Sequence, residues 1–127
     1  MATQTRSQVL RAMADVIRTE GWVQGTYFDS ETGNVCLIGA RNTVFGGYPS
    51  DYPDKYRKMV DAVTEVLALL VANYPPGVSP VTQEGIVISW NDVDGRTVDE
   101  VLRLIKQAET KCDQEDATPV DMLVLAE

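Results

Sequence analysis

Residues 90–102 read Trp-Asn-Asp-Val-Asp-Gly-Arg-Thr-Val-Asp-Glu-Val-Leu and contain the clearest helix start in the chain. Thr97 and Glu100 have the spacing of a capping box, in which each side chain accepts a hydrogen bond from the backbone N–H of the other residue. The stretch therefore predicts a helix that begins at Val98, directly after one aromatic and two polar residues. Apolar residues then recur at helical spacing, at Val98, Val101, Leu102, Ile105, Ala108 and Cys112.

The same signals predict helices elsewhere in the chain. A first helix covers about residues 6–20, because Thr5 and Gln8 can form a capping box and Gly21 suits a C-terminal cap. The longest helix follows a loop at 45–53, with a cap at Ser50 or Asp51. Its second half is apolar nearly all round, which is typical of a central, buried helix.

Two further segments are short, and periodicity alone does not decide them. Ser79-Pro80 favours a short helix that runs to Asn91, although residues 85–90 are β-branched enough for a strand. Residues 27–28 and 34–35 can pair across a turn-rich segment as a hairpin. Residues 36–40 either continue that strand or open a short helix.

These elements predict a mainly α, compact single-domain fold of about four to five helices, with a short β-hairpin near residues 26–37 as a further expectation. We place the helical domain at residues 1–112 and an acidic linker with a short apolar tail at residues 113–127. Four adjacent apolar residues of that tail are candidates for binding a partner, namely Met122, Leu123, Val124 and Leu125.

Charge is unevenly distributed along the chain. The net charge is −8, and residues 59–127 carry 13 acidic groups against 4 basic ones, whereas residues 1–58 carry 6 against 7. A nucleic-acid-binding surface needs basic residues that displace counterions, so we expect no nucleic-acid ligand. The acidic half fits a basic protein partner, or a DNA mimic that occupies a nucleic-acid-binding protein.

The residue types exclude several chemistries. The chain has no histidine and only two cysteines, Cys36 and Cys112. Ser-His and Cys-His nucleophile pairs and a typical zinc site are therefore excluded, and we expect no catalytic residue, metal or cofactor. We interpret Cys112, which lies on an apolar stripe, as a small buried hydrophobic residue.

Membrane and secretion signals are not apparent in the sequence. The longest apolar run, at residues 66–72, has 7 residues, whereas roughly 20 are needed to cross a bilayer. The segment at residues 1–5 lacks the apolar core of a signal peptide. We expect a cytoplasmic protein that does not bind a membrane.

Two tryptophans lie beside helix ends together with polar residues, and this setting suggests a small ligand pocket. In that interpretation Asp92 is the only plausible general base. In the structural alternative, the tryptophans anchor the core and the polar side chains bond local backbone. The candidate ligand-binding residues are Trp22, Gln24, Trp90, Asn91, Asp92 and Arg96.

The turn at residues 92–95 superficially resembles a calcium-binding loop. With Gly95 at the sixth position, however, Trp90 and Val101 fall where ligands are required. We therefore interpret the segment as a turn with Gly95 at a permissive backbone position. Arg96 is expected to pair with Asp92 or Asp94.

Three motifs occur in order along the chain: Gly21-Trp22-Val23-Gln24-Gly25, Cys36-Leu37-Ile38-Gly39-Ala40, and Trp90-Asn91-Asp92 followed by Arg96-Thr97 and Glu100-Val101-Leu102. With them the chain resembles, over about residues 8–110, an uncharacterised family of small actinobacterial and actinophage proteins. The resemblance implies a compact, mainly helical domain in which the motifs come together, and no known activity. A phage origin would by analogy favour binding to a host protein.

Three functions follow as hypotheses. The first is a small non-enzymatic protein-binding or regulatory protein, phage-encoded and directed at a host protein, that presents its acidic half or its tail to a protein partner; a homodimer is compatible with it. The second is a small-molecule-binding or enzymatic site around the two tryptophans, Gln24, Asn91 and Asp92. The third is an acidic DNA mimic. An open cleft that Asp92 faces would favour the second hypothesis.

Overall fold

The described residues form five α-helices, which confirms the predicted mainly α single-domain fold. The computed structural model describes residues 4–46 and 54–126, with side chains for residues 4–46 and 56–116. The helices are α1 (Arg6–Glu20), α2 (Leu37–Val44), α3 (Asp54–Val71), α4 (Pro80–Asn91) and α5 (Val98–Ala126). They share one apolar core, whose largest fully buried side chains include Leu10, Met13, Ile17, Leu37, Ile38, Leu67, Val87 and Ile105.

The start and end of α1 are set by local signals, as predicted. The Gln8 N–H donates to Thr5 Oγ1 at 3.1 Å and the Thr5 N–H donates to Gln8 Oε1 at 2.8 Å, which completes the capping box. The helix ends at Gly21, whose φ of 94° lies in a region that favours glycine. A Cβ at Gly21 would also lie only 2.5 Å from Asn34 Oδ1.

Helix α5 packs antiparallel against α1. Arg11 pairs with Glu109 at 2.8 Å, whereas Arg6, at the start of α1, pairs with Asp116 at 2.9 Å. Cys112 is fully buried in this interface and burial raises the pKa of its thiol, which agrees with its interpretation as a small hydrophobic residue.

The start of α5 confirms the predicted capping box, but its predicted end is wrong. The Glu100 N–H donates to Thr97 Oγ1 at 3.2 Å, and the Thr97 N–H donates to Glu100 Oε1 at 2.9 Å. Helix α5 continues to Ala126, so residues 113–116 are helical and do not form a linker. The helix brings Glu115 and Asp116 to within 3.3 and 2.9 Å of the Arg6 guanidinium. The side chains of the apolar tail at 122–125 lie outside those that the structure describes.

Helix α3 buries one face only, so the expectation that its second half is buried nearly all round is wrong. Leu69 and Leu70 are 47% and 37% exposed, whereas Val63 and Leu67 are fully buried. The caps predicted at residues 50–51 lie outside the described residues.

Helix α4 confirms the helical alternative for residues 80–91. The Thr82 N–H donates to Ser79 Oγ at 3.2 Å, and Pro80 occupies the first helical turn, where its missing N–H costs nothing. The β-branched residues of this segment thus lie on a helix, because the cap and proline signals outweigh their strand preference.

The segment between α1 and α2 is held by isolated bridges instead of a hairpin. Val35 pairs antiparallel with Phe28 and parallel with Trp22, so the predicted pairing is limited to one antiparallel bridge. Cys36 then caps α2, since its Sγ accepts the Gly39 N–H at 3.3 Å. Residues 37–40 are therefore helical, which resolves the second open alternative.

Candidate functional site

The three sequence motifs meet at the C-terminal end of α4, where Asn91 is fully buried. Its Oδ1 accepts the Trp22 indole N–H at 2.7 Å and the Leu37 backbone N–H at 3.2 Å. Its Nδ2 donates to Val23 O at 3.3 Å and to Asp92 Oδ1 at 2.9 Å. Every hydrogen-bonding group of this side chain is thus used inside the protein.

Gln24 and Gly25 complete this arrangement from the segment after α1. Gln24 Nε2 donates to the carbonyl oxygens of Asn91 and Val93 at 3.0 and 2.8 Å, at and just beyond the end of α4, where helix carbonyls lack partners within the helix. Val93 O also accepts the Arg96 N–H at 3.0 Å. The Gly25 N–H donates to Asp92 Oδ1 at 3.0 Å. We call Trp22, Gln24, Leu37 and Asn91 the Asn91 hub.

The Asn91 hub brings together three of the six predicted ligand-binding residues, with Asp92 beside it as a fourth, but mostly as structural groups. The indole N–H of Trp22 and the amide groups of Asn91 bond other parts of the protein, as the structural alternative required. The site predicted at these side chains is therefore a junction of three chain segments, in which Asn91 is buried, Gln24 is exposed and Asp92 borders a cleft.

Trp90 and Arg96 form a separate pair on another face of α4. The Arg96 guanidinium lies 3.9 Å from the centre of the Trp90 ring, a cation–π contact, and its Nε donates to Trp90 O at 3.0 Å. Its other partner is Glu100, at 3.1 Å, so the expected pairing of Arg96 with Asp92 or Asp94 is wrong. The capping N–H of Thr97, followed by Arg96, lowers the pKa of the Glu100 carboxyl.

Asp92 borders a cleft of about 300 Å³ between the segment after α1, the start of α2 and α4. We call it the Asp92 cleft; its lining residues are Gly25, Thr26, Tyr27, Cys36, Ile88 and Asp92. Burial raises the pKa of the Cys36 thiol, which therefore stays protonated at neutral pH. Burial and the nearby Glu84 raise the pKa of the Tyr27 hydroxyl as well.

A second, shallower depression lies between the end of α3 and α4 and has a volume of about 620 Å³. It contains the Trp90 ring, and Val93 at its edge is 47% exposed. We call it the apolar groove; its lining residues are Val71, Ala72, Thr82, Gly85, Ile86, Ser89, Trp90 and Val93.

One charged cluster was missed in the sequence. Arg41 on α2 is only 2% exposed and bonds Glu84 Oε1 at 2.7 Å, Asn42 Oδ1 at 2.8 Å and Thr64 Oγ1 at 2.8 Å. A buried guanidinium needs such partners, because an unpaired buried charge is very costly. The sequence signal for this cluster was Arg41 itself, because it directly follows four apolar or small residues at the start of α2.

No metal or membrane site is visible in the part of the chain that the structure describes. Among residues 4–46 and 56–116, three or more Cys, Asp or Glu side chains do not gather at any point in a way that could hold a metal ion. None of the described helices combines the length and the apolar character that a membrane crossing requires. Gly95 has a φ of 84°, as expected for a turn residue.

Comparison with known proteins gives one match. The sequence model of a family described as "Family of unknown function (DUF6197)" matches residues 1–111. No curated protein and no solved structure matches the chain.

Proposed function

We propose that this chain, which belongs to the DUF6197 family, is a small non-enzymatic protein-binding protein whose apolar groove accepts an amphipathic helix from a basic partner. One observation carries the proposal. Helix α4 is apolar on a face that the rest of the described chain does not cover. The hub residues support it indirectly, because their polar groups are engaged within the protein.

The exposure of α4 is unusual for its composition. One face, at Gln83, Val87 and Asn91, is buried in the domain. Val81, near the start of α4 but outside the lining of the groove, is nevertheless 80% exposed, and Val93, just after α4 at the edge of the groove, is 47% exposed. A helix that is apolar on several faces is normally covered on all of them. An uncovered apolar face of this kind is typical of a protein-interaction surface.

The form of the apolar groove suits a helix as ligand. Gly85 has no side chain and Ser89 has a small one, and a Cβ placed at Gly85 would meet no atom within 4 Å. An incoming helix can therefore approach α4 closely and insert apolar residues between Val71 and the Trp90 ring. This geometry corresponds to helix-in-groove recognition, with anchors at helical spacing.

Charge favours a basic partner. Residues 59–127 carry 13 acidic and 4 basic groups. Asp94 and Asp99, near the Trp90 end of the apolar groove in sequence, are exposed. Lysine or arginine residues on the polar face of the incoming helix would be attracted by these carboxylates, which raises the association rate and selects the partner.

The DNA-mimic hypothesis receives less support. Several carboxylates of the acidic half form ion pairs with arginine, among them Glu109 with Arg11 and Asp116 with Arg6. Paired carboxylates present less uncompensated negative charge than a row of phosphates would. We therefore rank protein binding through the apolar groove first, with a cytoplasmic host protein as the first class of partner to examine.

Peptide titration of the ¹⁵N-labelled protein tests the proposal. Synthetic helices with one apolar face and a basic, neutral or acidic polar face are added, and the two tryptophan indole signals are followed. The basic helix should shift the Trp90 signal more than the Trp22 signal, and it should bind more tightly than the acidic helix.

Ser89→Arg should abolish this binding, because it fills the apolar groove and adds a positive charge to it. Gln107→Arg on the exposed side of α5 is the matched control and should bind as the parent does. Binding that survives Ser89→Arg, or that is lost only on deletion of residues 118–127, would contradict the proposal and favour the tail as the binding element. Concentration-dependent association without any peptide would point to a homodimer.

A further inference from the structure

We infer that the Asp92 cleft is a binding site for a small organic cation with a primary ammonium group. Its volume of about 300 Å³ lies at the lower end of the range of small-molecule pockets, about 300–1,000 Å³. The Asp92 cleft lies on a different face of α4 from the apolar groove. It does not depend on the proposed function.

Asp92 supplies a carboxylate that is held in place and only half used. Its Oδ1 accepts hydrogen bonds from the Gly25 N–H at 3.0 Å and from Asn91 Nδ2 at 2.9 Å. Its other oxygen accepts none from residues 4–46 or 56–116, and no described lysine or arginine forms an ion pair with it. A fixed acceptor needs little ordering when a ligand binds, and a bond from N⁺–H to carboxylate is among the stronger hydrogen bonds.

The start of α2, which borders the cleft, does not offer an anion site. The first N–H groups of α2 are already used, since Leu37 donates to Asn91 Oδ1, Gly39 to Cys36 Sγ and Ala40 to Cys36 O. They are not available to bind a phosphate or carboxylate ligand in the way that a free helix N-terminus does.

The end of α4 favours a cation. Asp92 is the C-cap of this helix, whose last turn contains no basic residue. A helix C-terminus carries a partial negative charge, which adds to the charge of the carboxylate. Arg96 already donates its Nε to Trp90 O at 3.0 Å at this helix end, but its guanidinium stacks on Trp90, pairs with Glu100 at 3.1 Å and does not line the cleft.

Tyr27 and Ile88 supply the apolar part of the site. Tyr27 is 39% exposed, and its ring can contact an ammonium group or the carbon atoms that carry it. The nearby Glu84 is paired with Arg41 at 2.7 Å, so these two charges offset each other. Asp92 is therefore the one lining residue with an uncompensated charge, and a monocation matches it.

Titration with benzylamine, which is a monocation at neutral pH, tests the inference. Benzyl alcohol and benzoate are the neutral and anionic analogues of similar size, and N-acetyl-lysine methylamide represents a lysine side chain of a protein. Binding is followed by the backbone amide signals of Gly25 and Tyr27. We expect both amines to bind at least about tenfold more tightly than the alcohol, with no binding of benzoate. The tighter amine identifies a free amine or a protein lysine as the source.

Asp92→Asn should weaken amine binding about tenfold or more, because it keeps an acceptor for Gly25 and removes the charge. Asp94→Asn, two residues along, removes the same charge outside the cleft and should bind as the parent does. Thr26→Lys leaves Asp92 itself unchanged but places a competing ammonium group in the cleft, and it should abolish binding. Equal loss in the Asp94 variant, equal binding of the alcohol, or no amine binding at millimolar concentration would overturn the inference.

Discussion

Two regions at α4 differ in how they treat their surface: one buries polar groups with partners, and the other leaves apolar groups exposed. At the C-terminal end of α4, Asn91 is fully buried and each polar group of its side chain has a partner, through four hydrogen bonds. Along another face, the apolar groove leaves carbon surface exposed, with Val93 47% accessible. Asn91 is therefore a structural residue, whereas the neighbouring Trp90 lines the apolar groove that we propose as the surface for a partner.

The energetic basis of the difference is the asymmetry between the two kinds of group. A buried donor or acceptor that loses its partner costs about 1–3 kcal/mol. An apolar side chain left in water forfeits only its transfer free energy, about 25 cal/mol per Å². The protein therefore tolerates an uncovered groove but not an unpaired Asn91.

Asn91→Ala should produce the largest effect and tests the hub directly. It leaves the Trp22 indole, the Leu37 N–H and Val23 O without their partner, so we expect a loss of about 3–5 kcal/mol of unfolding free energy. Urea unfolding measures it, with the exposed Asn73→Ala as control, which should stay within about 0.5 kcal/mol of the parent. A loss below about 1 kcal/mol would show that water or rearrangement replaces the hub.

Gly39→Ala should come next, because the hub region is closed by a contact between backbones. A Cβ at Gly39 would lie on the carbonyl group of Tyr27, and that carbonyl also accepts the Cys36 N–H at 3.2 Å. Backbone cannot yield as a flexible side chain can, so we expect a loss of about 3 kcal/mol. Thermal melting measures the change, and an unaltered melting temperature would mean that the two segments are not packed at this distance.

The helix starts could be predicted because their causes are local. Thr5 with Gln8, Ser79 with Pro80, and Thr97 with Glu100 each act within one helical turn, and all three caps are present. The end of α5 was missed because its acidic residues are stabilised from a distance: Asp116 meets Arg6, 110 positions away in the sequence.

The site was predicted less well for the same reason. The residue types that gather at the hub were recognised, but their roles depend on partners far apart in sequence, such as Trp22 with Asn91, 69 positions away. Arg41 was missed because its burial follows from the packing of α2 on α3 and α4, which places Thr64 and Glu84 around it. The motifs thus predicted which segments meet, but not which hydrogen bonds their side chains form there.

Replacing each tryptophan with phenylalanine compares the two regions with the same substitution. Trp22→Phe removes the donor that Asn91 Oδ1 accepts at 2.7 Å, so we expect a loss of about 1–2 kcal/mol. Trp90→Phe keeps an aromatic ring beneath Arg96 and should cost less, about 0.5 kcal/mol. Guanidinium unfolding of both variants checks this order. Equal losses would remove the distinction between the hub and the groove.

Gly85→Ala should have a small effect of the opposite sign. Gly85 is a helical glycine, as Gly39 is, but a Cβ placed there would meet no atom within 4 Å. Glycine inside a helix costs about 0.5–1 kcal/mol relative to alanine, so the variant should be more stable than the parent by about that amount. Differential scanning calorimetry detects such a gain as a higher melting temperature.

The same methyl group enters the apolar groove, where it would hold an incoming helix away from α4. Gly85→Ala should therefore weaken binding of the basic amphipathic peptide while it stabilises the domain. A binding defect that accompanies a stability gain cannot be attributed to damage of the fold. If the variant instead binds as the parent does, Gly85 is not needed for close approach of the incoming helix to α4. The partner would then contact the groove near Trp90 and Val93.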